Sequence, residues 1–412
     1  MGKSQVITLA ITAMADGGQA VGRHEGKVVF VAGALPGERV RARIEQEHKR
    51  WARAELIDVL EASPQRVEPP CPYFGECGGC HSQHIAYPAQ LGYKQQIVVE
   101  QLQRIGHIEA PVVTPTMGMD EPWFYRNHIQ FSATEAGQLG FQTHKSHQVI
   151  PIEQCLLLHP LLDELHAAFD LEWPELTRLS LRAGIHTGQQ MCILETADDQ
   201  APELEVDIPL SCLLRLNNGT DVVLIGRDAY QETLRNRPFR ISSNSFFQVN
   251  TLQTEQLLNV VEQCLEPQPQ DTLLDVYCGV GTLSLSFAGQ VGQIIGIEGH
   301  PAAVQDAKFN TREGEQATFI EGNAARVLPN IQVKIDKAII DPPRKGCAPE
   351  VLAEIARLTP ERIVYVSCDP TTLARDAIQL VEHGYALVQA QPLDMFPQTF
   401  HIETVTWWQR AL

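Results

Sequence analysis

Cys368 stands in Ile363-Val-Tyr-Val-Ser-Cys368-Asp-Pro-Thr-Thr-Leu, an apolar β-branched run followed by a helix-opening Asp-Pro. The thiol is therefore expected at the carboxyl end of a strand, just before a helix. In an open α/β sheet that edge is where ligands bind and chemistry is done. A lone thiol there can equally be a small buried hydrophobe, so the company upstream decides. Asp275-Val-Tyr-Cys-Gly279-Val-Gly281 follows one strand, Gly296-Ile-Glu298 a second and Ile339-Ile-Asp341-Pro-Pro-Arg344 another. The glycines allow positive φ and close approach of a ligand to the backbone. Glu298 ends the next strand about 20 residues on, the spacing at which an acid takes ribose hydroxyls. The loop is not a full dinucleotide fingerprint, because Ser284 stands where a third glycine belongs. Asn323, after a third strand, has two open readings: a reader of an adenine edge, or the N-cap of a helix from Ala324.

These residues need a sheet to hold them. From Phe239 onward, strands near 272–277, 293–297, 317–320, 336–340 and 362–367 alternate with helix-length segments, which predicts an α/β, Rossmann-like doubly wound domain over 236–412. Residues 1–62 read as short strands with glycine turns, a small OB-like β-barrel. Arg39, Arg41 and Arg43 alternate with Val40, Ala42 and Ile44 on one strand, so the barrel is expected to have one basic side. Ser63-Pro64 and Glu68-Pro-Pro70 mark a linker into a mixed α+β unit, 63–235, with a helix from Gln90 to Ile105.

The chain has 412 residues and a net charge of −18. The total speaks against nucleic acid, but phosphate contact needs only a local basic surface. Residues 1–58 carry nine Lys/Arg, Lys3 the first, against seven Asp/Glu, or +2. No apolar run is long enough to span a bilayer and no secretory pattern opens the chain, so a cytoplasmic protein is expected. Of ten cysteines, three crowd into Cys71-x5-Cys77-x2-Cys80, with Cys155 as a distant fourth. That pattern reads as metal ligation rather than a disulfide framework. Four thiolates suit an iron–sulfur cluster or an all-cysteine zinc site, and His81 and His84 offer zinc a mixed alternative.

Taken together, these motifs resemble the S-adenosylmethionine-dependent RNA uracil-5 methyltransferases, in the branch with an N-terminal TRAM barrel and an iron–sulfur cluster. The resemblance spans the chain and rests most on Asp341-Pro-Pro-Arg344, Ser367-Cys368-Asp-Pro and Asp394-Met-Phe-Pro-x-Thr-x-His401-Ile-Glu403, with Asn244-Ser-Phe-Phe-Gln248 ahead of the α/β domain. Asp369 replaces a usual Asn, Tyr277 a usual Phe and Phe400 a common Gly.

The resemblance implies Cys368 as the nucleophile that adds to carbon 6 of uracil, its pKa lowered by positive charge and the helix N-terminus. It implies Glu403 as the base that removes the carbon-5 proton. Gln248, Tyr277, Thr282, Glu298, Asn323 and Asp341 map around S-adenosylmethionine. Cys71, Cys77, Cys80 and Cys155 map to a [4Fe–4S] cluster. The partner is RNA, ribosomal 23S favoured and transfer RNA the alternative, and a monomer is expected.

Arg344 follows Pro-Pro where adenine amino-methylating enzymes usually carry a stacking aromatic, which speaks against exocyclic nitrogen as the target. Cytosine-5 enzymes share the thiolate but typically add a Pro-Cys pair where this chain has Asp341-Pro-Pro. A non-catalytic RNA-binding protein that kept the fold would not need both Cys368 and Glu403.

Overall fold

Alternation of apolar and polar residues closes the first sixty residues into a barrel. In the computed structural model, which describes residues 5–411 apart from 135, 136, 145, 147, 170–172, 174 and 202, five strands form it: β1 (Val6–Met14), β2 (Ala20–His24), β3 (Lys27–Ala32), β4 (Arg39–Glu47) and β5 (Trp51–Glu61), in the closed order β1-β2-β3-β5-β4. Lys3 lies outside the described residues. Ile7, Leu9, Ile11, Val40 and Ala42 point inward and are buried. Sequence reading missed β2, five residues interrupted by Gly22. The glycine is needed because a Cβ there would lie 2.5 Å from the Ala10 carbonyl oxygen.

The basic side does not survive as expected. Arg39, Arg41 and Arg43 face outward, but register pairs them with Glu61, Asp58 and Glu55 of β5, and each forms an ion pair with its opposite number. The stripe is charge-compensated. Replacing all three arginines by Ala should therefore leave RNA affinity and its salt dependence essentially unchanged, and cost stability no more than about 1 kcal/mol per exposed pair. Filter binding across a salt series checks the first, urea unfolding the second.

Beyond the linker, α1 (Tyr87–Arg104) starts three residues before the expected Gln90, with Pro88 in its first turn, where a missing N–H costs nothing. A seven-stranded sheet follows, β6 (His128–Ala133), β7 (Leu139–Gln142), β8 (Val149–Pro151), β9 (Leu176–Ala183), β10 (Gln190–Thr196), β11 (Leu210–Arg215) and β12 (Asp221–Ile225), ordered β12-β11-β10-β9-β6-β7-β8. Helix α2 (Pro160–Ala168) covers it through Leu162 and Leu165, and the hairpin β13 (Ala229–Leu234) with β14 (Arg237–Ser242) leads on to α3 (Thr251–Leu265).

The remaining residues build the doubly wound sheet: β15 (Thr272–Val276), α4 (Thr282–Leu285), β16 (Gln293–Glu298), α5 (Pro301–Asn310), β17 (Ala317–Glu321), α6 (Ala324–Val327), β18 (Lys337–Ile340), α7 (Pro349–Arg357), β19 (Arg362–Ser367), α8 (Pro370–Glu382), β20 (Tyr385–Leu393) and β21 (Glu403–Arg410). The order is β17-β16-β15-β18-β19-β21-β20, parallel except for β21, which runs antiparallel between β19 and β20. The winding reverses between β15 and β18, the switch point at which such sheets open a crevice. The middle of the chain is fastened to this sheet. Val98 and Leu102 of α1 share a core with Leu373 and Leu380 of α8, and the buried Lys94 Nζ meets Asp394 Oδ1 at 2.6 Å. Among the described residues, no helix is long and apolar enough to cross a membrane.

Candidate active site

At the switch point the backbone turns sharply. Tyr277, Gly279 and Gly281 all have positive φ, at 68°, 54° and 84°. For tyrosine this conformation is strained, a cost typical of functional loops. Gly281 caps α4, and a Cβ there would lie 2.6 Å from Leu285 Cδ1. At Gly279 an added Cβ would meet nothing within 4 Å, so the loop has open space above it. Glu298 fixes the other side, accepting hydrogen bonds from Gly279 N (3.0 Å) and His300 N (2.8 Å). Each of its oxygens is thus tied to a backbone N–H, and the half-buried carboxylate is held in one orientation. Of the two readings of Asn323, the structure shows the N-cap: its Oδ1 accepts from Ala325 N at 3.0 Å, while the residue also lines the cavity.

That cavity, of about 720 Å³, is lined by all eight residues assigned from sequence to cofactor and catalysis: Gln248, Tyr277, Thr282, Glu298, Asn323, Asp341, Cys368 and Glu403. Phe246 at its rim, 69% exposed, was missed. The Phe-Phe pair before Gln248 was the signal, since Phe247 alone enters the core.

Cys368 and Glu403 meet because of strand register. β19 and β21 pair Ser367 with Thr404; one step further along an antiparallel pair brings residue 368 beside residue 403. Glu403 is buried, not the exposed strand residue an isolated motif suggests. The loop between β20 and β21 is pinned on several sides. Gln398 O accepts from His81 N and Ser82 N (2.9 and 3.1 Å), Pro397 O from the Tyr125 hydroxyl (3.0 Å), and Met395 O from Asn250 Nδ2 (3.1 Å).

The electrostatics correct one expectation. The Cys368 thiol is pushed up to about 12, by burial first and then by Glu403 and Asp341, with only Arg344 opposing. The helix N-terminus gives little help because Asp369 already caps it, accepting from Thr372 N at 2.8 Å. Glu403 is raised well above the ordinary carboxylate range by burial and by Asp341, again against Arg344. Asp341 is raised as well, through desolvation and the nearby Asp275 and Glu298. His401, in contact with Arg344 at 3.3 Å, is pushed down to about 3 by burial and by that cation, and stays neutral. Iodoacetamide should therefore alkylate Cys368 slowly at pH 7 in the ligand-free protein, with the rate still climbing at pH 10, above an ordinary thiol mid-point of about 8.5. Peptide mapping after alkylation reads this, and a plateau by pH 8 would contradict it.

The four metal-assigned cysteines line a second cavity, of about 590 Å³, beside the loop that leads to Glu403. Burial raises Cys77 and Cys155 and pushes Cys80 up to about 12; neighbouring cysteines add to each shift and Arg126 opposes. Among the described residues, no three His, Cys, Asp or Glu side chains converge as a single-ion site. His81 lines this cavity but its ring packs on Phe400 (4.4 Å) and His144 (5.0 Å). His84 does not line it and tilts against Phe74. Arg126, a half-buried cation near these thiols, was not singled out from sequence.

Comparison with known proteins agrees with this architecture. The family profile "TRAM domain" matches residues 3–57, and "tRNA (Uracil-5-)-methyltransferase" matches 213–321 and 325–411. An uncharacterized RNA methyltransferase of Halalkalibacterium halodurans is 37% identical, covering 98% of this chain and 96% of its own length. Another from Thermosynechococcus vestitus is 37% identical, covering 97% of each. The crystal structure of Pyrococcus abyssi tRNA (uracil-54, C5)-methyltransferase, in complex with S-adenosyl-L-homocysteine, superposes with a TM-score of 0.75 at 26% identity, over 98% of this chain and 100% of that one. With its barrel, its switch-point cavity and relatives matched over nearly their full length, the chain belongs to the RNA uracil-5 methyltransferases, enzymes dependent on S-adenosylmethionine.

Proposed function

We propose that the protein methylates carbon 5 of a specific uridine in 23S ribosomal RNA through a covalent bond between Cys368 and carbon 6. The observation that carries this reading is the β19–β21 register, which sets a thiol beside a buried carboxylate in the cavity that also holds the glycine loop. Carbon 5 of uracil is a weak nucleophile; addition of the Cys368 sulfur at carbon 6 turns it into an enolate. Once carbon 5 has taken up the methyl group, Glu403 removes the carbon-5 proton, and that C–H pair re-forms the ring's double bond as the Cys368 sulfur leaves carbon 6.

The open space above Gly279 and the locked Glu298 fit S-adenosylmethionine, which supplies a methyl group on a sulfonium when bound. Glu298 would hold the ribose with the lone pairs left by its two backbone bonds. Tyr277, Thr282 and the Asn323 amide would border the adenosyl group, and Gln248 and Asp341 would stand between cofactor and uracil. Cys368 and Glu403 each shed a proton more readily once positive charge enters their cavity. Nucleophile and base are thus armed only in the loaded enzyme, and S-adenosylmethionine should speed Cys368 alkylation more than the neutral S-adenosylhomocysteine.

Cys71, Cys77, Cys80 and Cys155 would hold a [4Fe–4S] cluster. What supports this is a donor set of four thiols lining one cavity, with the half-buried Arg126 near them as counter-charge. Such a set wants a cationic centre wide enough to reach all four. The role is structural, since no step of the methyl transfer needs it. Protein purified anaerobically should be brown, and Cys155→Ala should lose iron as fully as Cys77→Ala; a colourless protein with stoichiometric zinc would sink the assignment.

Residues 1–62, 63–235 and 236–412 would serve as RNA-binding barrel, cluster unit and methyltransferase unit of a cytoplasmic monomer. Ribosomal RNA is favoured by the branch that joins barrel and cluster, while the solved Pyrococcus abyssi neighbour is a tRNA (uracil-54, C5)-methyltransferase. Mass-spectrometric mapping of 5-methyluridine in ribosomal and transfer RNA, from cells with and without the gene, decides between them.

A further inference from the structure

With the arginine stripe of β4 neutralised, a different face of the barrel stands out. Val29, Val31, Ala52 and Ala54 point into the barrel core, so Val28, Phe30, Trp51 and Arg53 point outward. Register places Val28 beside Trp51 and Arg23, and Phe30 beside Arg53. Phe30 meets Trp51 edge-on at 6.2 Å, His48 stacks on Trp51 at 4.0 Å, and the Arg53 guanidinium lies 5.4 Å over the same indole. Lys49 and Arg50 are exposed on the adjoining turn. Among the described residues, Arg23, Lys49, Arg50 and Arg53 form no ion pair, unlike the three arginines of β4.

We propose that this face of β2, β3 and β5 binds a single-stranded segment of the substrate RNA flanking the target uridine, with Trp51 as its stacking platform. The half-buried rings of Phe30 and Trp51, with the exposed His48 stacked on the indole and unpaired cations around them, match bases and phosphates of an open strand, whereas a duplex keeps its base faces hidden. The face also leads to the chemistry. The turn that opens β2 touches the catalytic unit: Asp16 accepts from Thr371 Oγ1 at 2.7 Å, and a Cβ on Gly18 would lie 2.8 Å from Phe400 Cβ. Asp16 shares a recess with Cys368. From there β2 runs out to the platform over about 16 Å, a span that neighbouring nucleotides cover.

This rests on RNA being the substrate, and its test is binding rather than turnover. Fluorescence anisotropy with labelled oligouridine of about 12 nucleotides should show Trp51→Ala binding about tenfold more weakly, and Trp51→Phe recovering most of that loss. Arg53→Ala should flatten the log–log salt slope by about 0.7. A duplex of the same length should bind more weakly and ignore Trp51→Ala, and at saturating RNA the turnover of each variant should match wild type while KM rises. Unchanged oligouridine binding in Trp51→Ala, an equal loss on duplex, or a Trp51-dependent preference for anionic lipid vesicles over RNA would each overturn the proposal. If wild-type protein forms no 5-methyluridine yet Trp51→Ala still loses oligouridine, the uridine reading fails and the RNA face stands.

Discussion

Glu403→Gln should leave the enzyme bonded to its RNA. With the base removed, Cys368 still adds to carbon 6 and the methyl group is still transferred, but the carbon-5 proton stays and the sulfur cannot leave. A protein–RNA adduct that survives denaturing electrophoresis should accumulate on ordinary RNA, with turnover falling about 10²–10⁴-fold. Cys368→Ala should fail differently, binding S-adenosylmethionine and RNA with near-normal affinity, forming no adduct and losing turnover by on the order of 10⁴-fold or more. Wild type should give a lasting adduct only with 5-fluorouridine RNA, because fluorine cannot depart as a proton. Normal turnover by Glu403→Gln, or methylation by Cys368→Ala, would reassign the role to another residue in the cavity, Asp341 first.

The second large effect is on stability. Lys94 and Asp394 are both buried, 2.6 Å apart; among the described residues Asp394 Oδ2 forms no hydrogen bond of normal length, with the Tyr87 hydroxyl close by. Lys94→Met strands a carboxylate in the core and should cost about 3–5 kcal/mol. The loss should show as a lower urea mid-point for the methyltransferase unit, together with faster proteolysis of the loop from Asp394 to His401. Adding Asp394→Leu to Lys94→Met should return much of that stability, because two apolar groups replace an uncompensated charge. If the single substitution costs under about 1 kcal/mol, water reaches Asp394 and the pair is not a clamp.

What the sequence revealed was what neighbouring residues decide. Strands of a parallel sheet covered on both faces are near-continuous apolar runs, so β15, β16 and β19 and the loops after them could be placed, and with them Cys368, Glu298 and the glycine turn. What pairing across the chain decides stayed hidden. The carboxylates that neutralise Arg39 and Arg43 lie 22 and 12 residues away on another strand, where alternation within β4 says nothing of them. The sign of the Cys368 shift failed for a related reason. A helix N-terminus is local and readable, whereas Glu403 and Asp341 converge on the thiol only through the sheet. Lys94 and Asp394 are 300 residues apart, and no pattern in either segment announces the other.

The place of β21 has a consequence for how the enzyme comes into being. This strand leaves the ribosome after β20 yet is inserted between β19 and β20, so β20 must wait, its edge unsatisfied, until the later strand slots in. Long-range pairing of this kind is slow and leaves partly made chains open to aggregation. It also means that a nascent chain with Cys368 already in place has no Glu403 beside it. On the mechanism proposed above, nucleophile and base come together in one step, with the strand inserted last, and a chain stalled or clipped before that point would be inert toward RNA rather than half-active.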